Sequence, residues 1–137
     1  MFDLAYLRDF GLRYANAWCT QNPAAVAAFF APNGSLTIND GVPSVGRAAI
    51  VEAARGFMDA FPDMRVVMDD VVVKGEVAEF HWTLDGHNTG AGGTAKHVRI
   101  SGIEEWMLSD GGLVLKSHGH FDASEYQRQI EHGSAHS

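Results

Sequence analysis

Almost everything before Pro62 is patterned for helices and almost everything after it for strands. From Leu4, the residues Leu7, Gly11, Tyr14 and Trp18 follow at steps of three and four, the spacing of one helical face. Asp3 stands where a capping side chain would accept a free backbone N–H. A second helix is expected to begin at Asn22-Pro23, because Asn caps well and Pro is preorganised for a first turn, and to end at Ala31-Pro32. Its Val26, Phe29 and Phe30 would point inward. A short strand from Ser35 to Asn39 then leads into a third helix, with Ile50, Ala54, Phe57 and Phe61 on one side, stopped by Pro62. Beyond it come four β-branched and aromatic runs, Arg65 to Lys74, Val77 to Asp85, Lys96 to Leu108 and Leu113 to Phe121, of the composition that suits strands. Lys74-Gly75-Glu76 and Asp110-Gly111-Gly112 are short enough for antiparallel hairpins, while 86–95 reads as a glycine-rich loop or as the frayed ends of two long strands. Helices followed by such a meander predict an α+β fold, with helices on one face of a curved antiparallel sheet that can enclose a cone-shaped cavity.

At 137 residues and 46% hydrophobic content the chain is expected to form a single domain, 1–137, that buries a core without disulfide or metal staples. Its only expected fraying is over 131–137. The net charge of -7 and the lack of any Lys or Arg run argue against nucleic acid, whose binding rests on neutralised phosphates, and against acidic membrane surfaces. Cys19 is the only cysteine, so no intrachain disulfide can form and no cysteine pair exists for a structural zinc. Asp3, Arg8 and Asp9 interrupt the apolar residues of the N-terminus, which speaks against a signal-peptide core or a membrane span there. A soluble, cytoplasmic protein is the expectation.

The most informative stretch for chemistry is the last hairpin, Ser101 to Asp122. Glu104, Trp106 and Leu108 share a face of its first strand, because strand side chains repeat every two residues. An acid among large apolar groups would be desolvated, stay protonated more readily and be able to donate a hydrogen bond to a substrate oxygen. Glu105 points the other way, so a slip of one residue would exchange a cavity acid for a solvated one.

The ordered set of short motifs across the chain adds to this reading. It comprises the Tyr14 helix, Asn22-Pro23 running to Phe29-Phe30-Ala31, Val45-Gly46-Arg47-Ala48-Ala49-Ile50, Gly86-His87-Asn88-Thr89-Gly90, and the hairpin ending in Phe121-Asp122. In their order and spacing the sequence resembles the nuclear transport factor 2-like superfamily, and within it the SnoaL-like polyketide cyclases and the ketosteroid isomerases. That resemblance implies a cone formed by a strongly bent sheet and three helices, usually a homodimer, with a small-molecule cavity at the wide end. Matched to the isomerases, Tyr14 takes the place of the tyrosine that donates to the developing enolate oxygen, and Glu104 that of a protonated aspartic acid with the same task. A buried tyrosine also commonly anchors a core and satisfies its hydroxyl on a nearby acid or carbonyl, and a Tyr14 to Glu104 hydrogen bond fits both readings. The proton-abstracting carboxylate would fall at Ile38. Asp40, two residues later, shares that face if the strand continues, and is the candidate base. Matched to the cyclases, the aspartate of a His-Trp-Asp motif on the last strand falls at Gly119, within Ser117-His118-Gly119, which leaves Glu104 on the facing strand as the cavity acid.

Among the other candidates, Trp18, Phe57, Phe61, Trp82 and Trp106 are aromatics able to stack on a flat ligand, though aromatics at such spacing also build cores. His81 and His87 belong to the strand that the resemblance places along the middle of the cone. A histidine there is a pH-sensitive hydrogen-bonding group before it is a base. Cys19 has no paired base readable nearby. His118, His120 and Asp122 alternate along one strand, but successive side chains on a strand face are about 7 Å apart, too far for one ion unless the chain bends. The family match turns these histidines to the outer sheet face, where homologues dimerise, so no metal site is assigned and an interface role is expected.

Together these readings predict a cofactor-free enzyme that transfers a proton next to a carbonyl on a small hydrophobic, cyclic or polyketide-like substrate. Glu104 and Tyr14 would steady the enolate oxygen and Asp40 would act as base. Trp18, Phe57, Phe61, His81, Trp82, Trp106, Gly119 and Phe121 would contact the substrate. The alternative is a non-catalytic ligand-binding or dimerisation module built on the same cone. A water-adding hydrolase would need an Asp, Arg and Asp set around a water, which Asp40, Arg47, Arg65, Asp85 and Arg99 are too scattered to supply.

Overall fold

A computed structural model of the protein describes residues 2–134. The first helix, α1, runs from Leu4 to Trp18, and the Asp3 carboxylate caps it by accepting the Tyr6 N–H at 2.8 Å. Leu7, Phe10, Gly11, Tyr14 and Trp18 are buried along it, whereas Leu4 is exposed. Asn22 caps α2 by accepting the Ala24 N–H, and Pro23 opens the helix. The helix ends at Ala27, well short of Pro32, and strand β1 already begins at Phe30 and continues to Ile38. The expected last turn is lost because Pro32 disfavours helical geometry at Ala31, and adjacent bulky aromatics suit a strand as well as a helix.

A two-residue strand, β2 (Ser44–Val45), pairs with β1 and delivers the chain to α3 (Arg47–Ala60) through Gly46. Gly46 has φ +87, in the left-handed region where a side chain would be strained. The remaining strands are β3 (Arg65–Lys74), β4 (Val77–His87), β5 (His97–Leu108) and β6 (Val114–His120), followed by α4 (Ala123–His132). The sheet order is β2-β1-β6-β5-β4-β3, antiparallel throughout except for the parallel pair β1 and β6. Register irregularities in β1, β3 and at the end of β5 are of the kind that bend and twist strands. The result is the expected α+β roll, with the helices against one face of a curved sheet.

The helix α4 was not anticipated. Its start is nevertheless written in Asp122-Ala123-Ser124-Glu125, where the N-cap Asp122 accepts the Glu125 N–H at 3.0 Å and the Glu125 carboxylate accepts from Arg128 and Gln129 further along the helix. The core between α1 and the sheet is aromatic. Phe80 and Trp106 stack with centroids 4.9 Å apart, and the Tyr14 ring meets each of them edge-on at 5.3 Å. Edge-to-face and offset contacts of this kind fix ring orientation as well as burying area. Tyr14 is therefore held in one place.

Candidate active site

Strand alternation selects the cavity wall. On β4, Phe80, Trp82 and Leu84 face inward, on β5 Ile100 and Glu104, and on β1 Leu36 and Ile38. Trp18 of α1, Phe57 of α3 and Tyr126 of α4 close it from the helical side. The cavity volume open to the centres of water-sized atoms is about 60 Å³. A single water needs roughly 10–15 Å³ on that measure, so the space suits an object such as one small ring.

Glu104 is the one carboxylate among the lining residues. In the sheet it stands between Phe80 of β4 and Gly119 of β6. Because Gly119 has no side chain, nothing covers the acid from that side; a methyl there would lie 3.7 Å from Glu104 Cγ. The carboxylate accepts hydrogen bonds from Ser117 Oγ at 2.7 Å, Tyr14 Oη at 2.9 Å and Trp106 Nε1 at 3.0 Å, all on Oε1. Its second oxygen, Oε2, receives only the longer 3.2 Å approach of the same Tyr14 hydroxyl. One oxygen is thus crowded with donors and the other keeps acceptor capacity.

Burial pushes the Glu104 carboxyl above its ordinary pKa, against the downward pull of the Ser117, Trp106 and Tyr14 donors. Desolvation outweighs three good hydrogen bonds because it penalises the whole charge. The Tyr14 phenol is held well above its ordinary value by burial and by the adjacent Glu104 charge. Tyr14 therefore stays a neutral donor. Trp82, a lining residue, carries an unusual group: its Nε1 is the one buried side-chain nitrogen or oxygen without a hydrogen-bond partner among the described residues. A buried, unpaired N–H costs about 1–3 kcal/mol, so its persistence calls for an explanation.

The family model of the SnoaL-like domain matches residues 12–116. This chain belongs to the SnoaL-like family. No curated protein sequence matches it. Among solved structures, this SnoaL-like domain is similar to a protein from Jannaschia sp. CCS1 classed as a SnoaL-like polyketide cyclase, at 15% identity and a TM-score of 0.81 over 98% of each chain. It is also similar to a protein with a ketosteroid isomerase-like fold from Catenulispora acidiphila DSM 44928 in complex with trimethylamine, at 17% identity and a TM-score of 0.77, covering 89% of this chain and 92% of that one. A third similar structure is TerC co-crystallised with polyporic acid, at 14% identity and a TM-score of 0.75, covering 92% and 98%. At these identities the likenesses establish the shared fold.

Within the SnoaL-like domain, Trp18, Phe57, Trp82, Gly119 and Phe121 all line the cavity beside Glu104. Three residues expected to touch substrate are placed elsewhere. Trp106 is fully buried and spends its indole N–H on Glu104. Phe61 is fully buried at the end of α3, 6.4 Å from the Tyr126 ring. His81 points to the outer face, because its neighbours Phe80 and Trp82 point inward, and it pairs with Glu79 at 3.3 Å. Tyr14 is also absent from the wall. Its hydroxyl is committed to Glu104 and is not a free donor for a substrate oxygen.

Asp40 lies outside the site. Strand β1 stops at Ile38, Asn39 adopts φ 50, and Gly41 N–H donates to Ile38 O at 2.9 Å, so the chain turns before Asp40 and leaves it exposed. Ile38 itself lines the cavity. His87 is exposed and pairs with Asp63 at 2.7 Å. The Cys19 sulfur lies 3.4 Å from the carbonyl oxygens of Ala15 and Val66 and can give its one hydrogen to either. No described helix is long and apolar enough to cross a membrane.

Proposed function

We infer that this SnoaL-like domain binds a small, largely apolar cyclic carbonyl compound and moves a proton on the carbon beside the carbonyl. The observation that carries the reading is a single buried carboxyl, Glu104, with raised proton affinity on an otherwise apolar wall. A carboxyl tuned upward toward neutrality combines a usable basic form with a usable acidic one. In the forward step Glu104 Oε2 takes the proton, the C–H electron pair moves toward the carbonyl carbon, and negative charge collects on the oxygen. Glu104, now neutral, returns the proton to the same carbon or to one conjugated with it, so the step balances without a co-reactant. The unpaired Trp82 N–H is the donor for the developing oxyanion. Donors of this kind commonly contribute about 10²- to 10³-fold in rate, and a positioned base about 10²- to 10⁴-fold. Tyr14, Ser117 and Trp106 act on the substrate only through Glu104, by holding Oε1. A homodimer through the outer sheet face and a cytoplasmic location belong to the same reading, the second because Cys19 is the only cysteine.

Relatives of the same fold in complex with trimethylamine and with polyporic acid support small-molecule binding. A non-catalytic binding module is favoured instead by one feature: beside Glu104, Tyr126 is the only other ionisable residue on the wall. The two readings separate in deuterium oxide. Wild type and Glu104→Gln are incubated with a panel of small cyclic ketones and enones, and loss of the proton signal beside the carbonyl is followed by NMR. At least one compound should exchange about 10²-fold faster with wild type than with the variant. Saturable binding with equal, uncatalysed exchange in both proteins would make the domain a binder.

A further inference from the structure

The outer face of the sheet, opposite the cavity, carries a cluster that the proton-transfer reading does not use. Strands β5 and β6 pair with Glu105 opposite His118 and Ile103 opposite His120. One ligand atom from each of Glu105, His118 and His120 lies within 4.8 Å of the others. The two imidazoles, two residues apart on one strand, would sit about 7 Å apart on a flat sheet. Their centroids are instead 4.2 Å apart, with the planes tilted by 32°. The spacing argument against a shared ion therefore does not hold for this strand.

The protonation pattern is also suitable. His118 Nε2 lies 2.7 Å from the backbone oxygen of Asn39. A carbonyl only accepts, so Nε2 carries the hydrogen and the neutral ring presents its lone pair on Nδ1. A ring nitrogen that donates to a backbone carbonyl while the other faces the ion is the usual arrangement of a metal-bound histidine. His120 Nε2 already contacts Glu105 Oε1 at 2.6 Å, with both side chains about two-fifths exposed. Glu79, beside Glu105 in the β4 register, is already paired with Lys74 at 3.4 Å and His81 at 3.3 Å, so the added attraction for a cation is that of the chain's net charge of -7.

We propose that Glu105, His118 and His120 form a binding site for a divalent first-row transition ion of the zinc type. Two imidazoles and one carboxylate suit Zn²⁺, Co²⁺ or Ni²⁺ better than Mg²⁺ or Ca²⁺, which prefer all-oxygen shells. Bonds of about 2.0–2.2 Å place the ligands of a tetrahedral ion roughly 3.3–3.5 Å apart. The widest separation in the cluster has to close by about an ångström, and the His120 to Glu105 contact has to open slightly. Rotation of part-exposed side chains achieves both. Three protein ligands leave the remaining position to water where this part of the outer face is open, or to a side chain of a second copy where a homodimer through that face covers it. Because the site and Glu104 lie on opposite faces of the sheet, ion binding at one is independent of proton transfer at the other.

The test is titration of the chelator-treated full chain with Co²⁺ alone, read by its visible absorption and by calorimetry. One Co²⁺ per chain is expected, with His118→Ala, His120→Ala and Glu105→Gln each weakening binding by about tenfold or more and His87→Ala leaving it unchanged. Thermal melting of each variant confirms that loss of the ion is not loss of the fold, and His120→Gln repeats the test with a bulkier replacement. No saturable binding, or binding as tight in the His118→Ala and His120→Ala variants as in wild type, would overturn the proposal.

Discussion

The Tyr14 hydroxyl reaches both oxygens of Glu104, at 2.9 and 3.2 Å, and so joins α1 to β5 across 90 residues of sequence. The bond stabilises the charged form of the acid, as does that of Ser117. Removing either donor as Tyr14→Phe or Ser117→Ala should raise the Glu104 pKa further. A base must be deprotonated to act, so the acid limb of the pH–rate profile for deuterium exchange should move to higher pH in both variants. Hydrogen bonds to charged groups are worth about 1.5–3 kcal/mol, and each variant should lose stability of that order in denaturant unfolding. A profile that stays in place while stability falls would make these residues structural only.

Trp82→Phe keeps an aromatic ring on the cavity wall but removes the unpaired N–H. Exchange should slow by about 10²- to 10³-fold, the range measured for loss of one oxyanion donor. Stability should change little, because relief of an unsatisfied buried donor offsets the cost of the space left by the smaller ring. A large loss of stability with unchanged exchange would assign Trp82 to packing.

Two glycines of the last hairpin, Gly102 of β5 and Gly119 of β6, should respond in opposite ways. A Cβ at Gly119 would meet Thr37 O at 3.6 Å and Glu104 Cγ at 3.7 Å, which are ordinary contacts. Gly119→Ala should therefore fold normally and weaken ligand binding by covering the acid. A Cβ at Gly102 would collide with His120 O and stand 2.6 Å from Trp82 Cζ2. Gly102→Ala should lower the melting temperature by many degrees, since backbone has to move. Comparable melting temperatures for the two variants would contradict this reading of the sheet.

How far the sequence could be read depended on how strictly each segment is patterned. Helix α1 and strand β3 have the boundaries expected, because Tyr14 and Trp18 keep helical spacing and valine fills five of the ten positions from Arg65 to Lys74. The inward face of Glu104 followed from its alternation with Trp106. Phe29-Phe30 suit either element, so the end of α2 was overextended. Helix α4 has the most polar composition of the long helices, and its one signal in the sequence is the N-cap Asp122. With it went Tyr126, a cavity residue that was not foreseen. The placement of Asp40 turned on the backbone of one residue, Asn39, whose φ of 50 ends the strand. For Tyr14 the sequence leaves two partners open, a substrate oxygen and Glu104, and the hydroxyl lies on Glu104. Spacing identifies the face a side chain occupies, but the choice between two acceptors on that face depends on the assembled geometry.

The most direct measurement is the titration of Glu104 itself. With carboxyl-¹³C glutamate incorporated and the resonance assigned by its loss in Glu104→Gln, the chemical shift against pH reports the ionisation of this one group. A midpoint clearly above the ordinary glutamate value of about 4.3, moving higher still in Ser117→Ala, is the result this account predicts. A midpoint at or below that value would mean that the donors outweigh burial. Glu104 would then be a fixed anion and could not both take and return a proton near neutral pH.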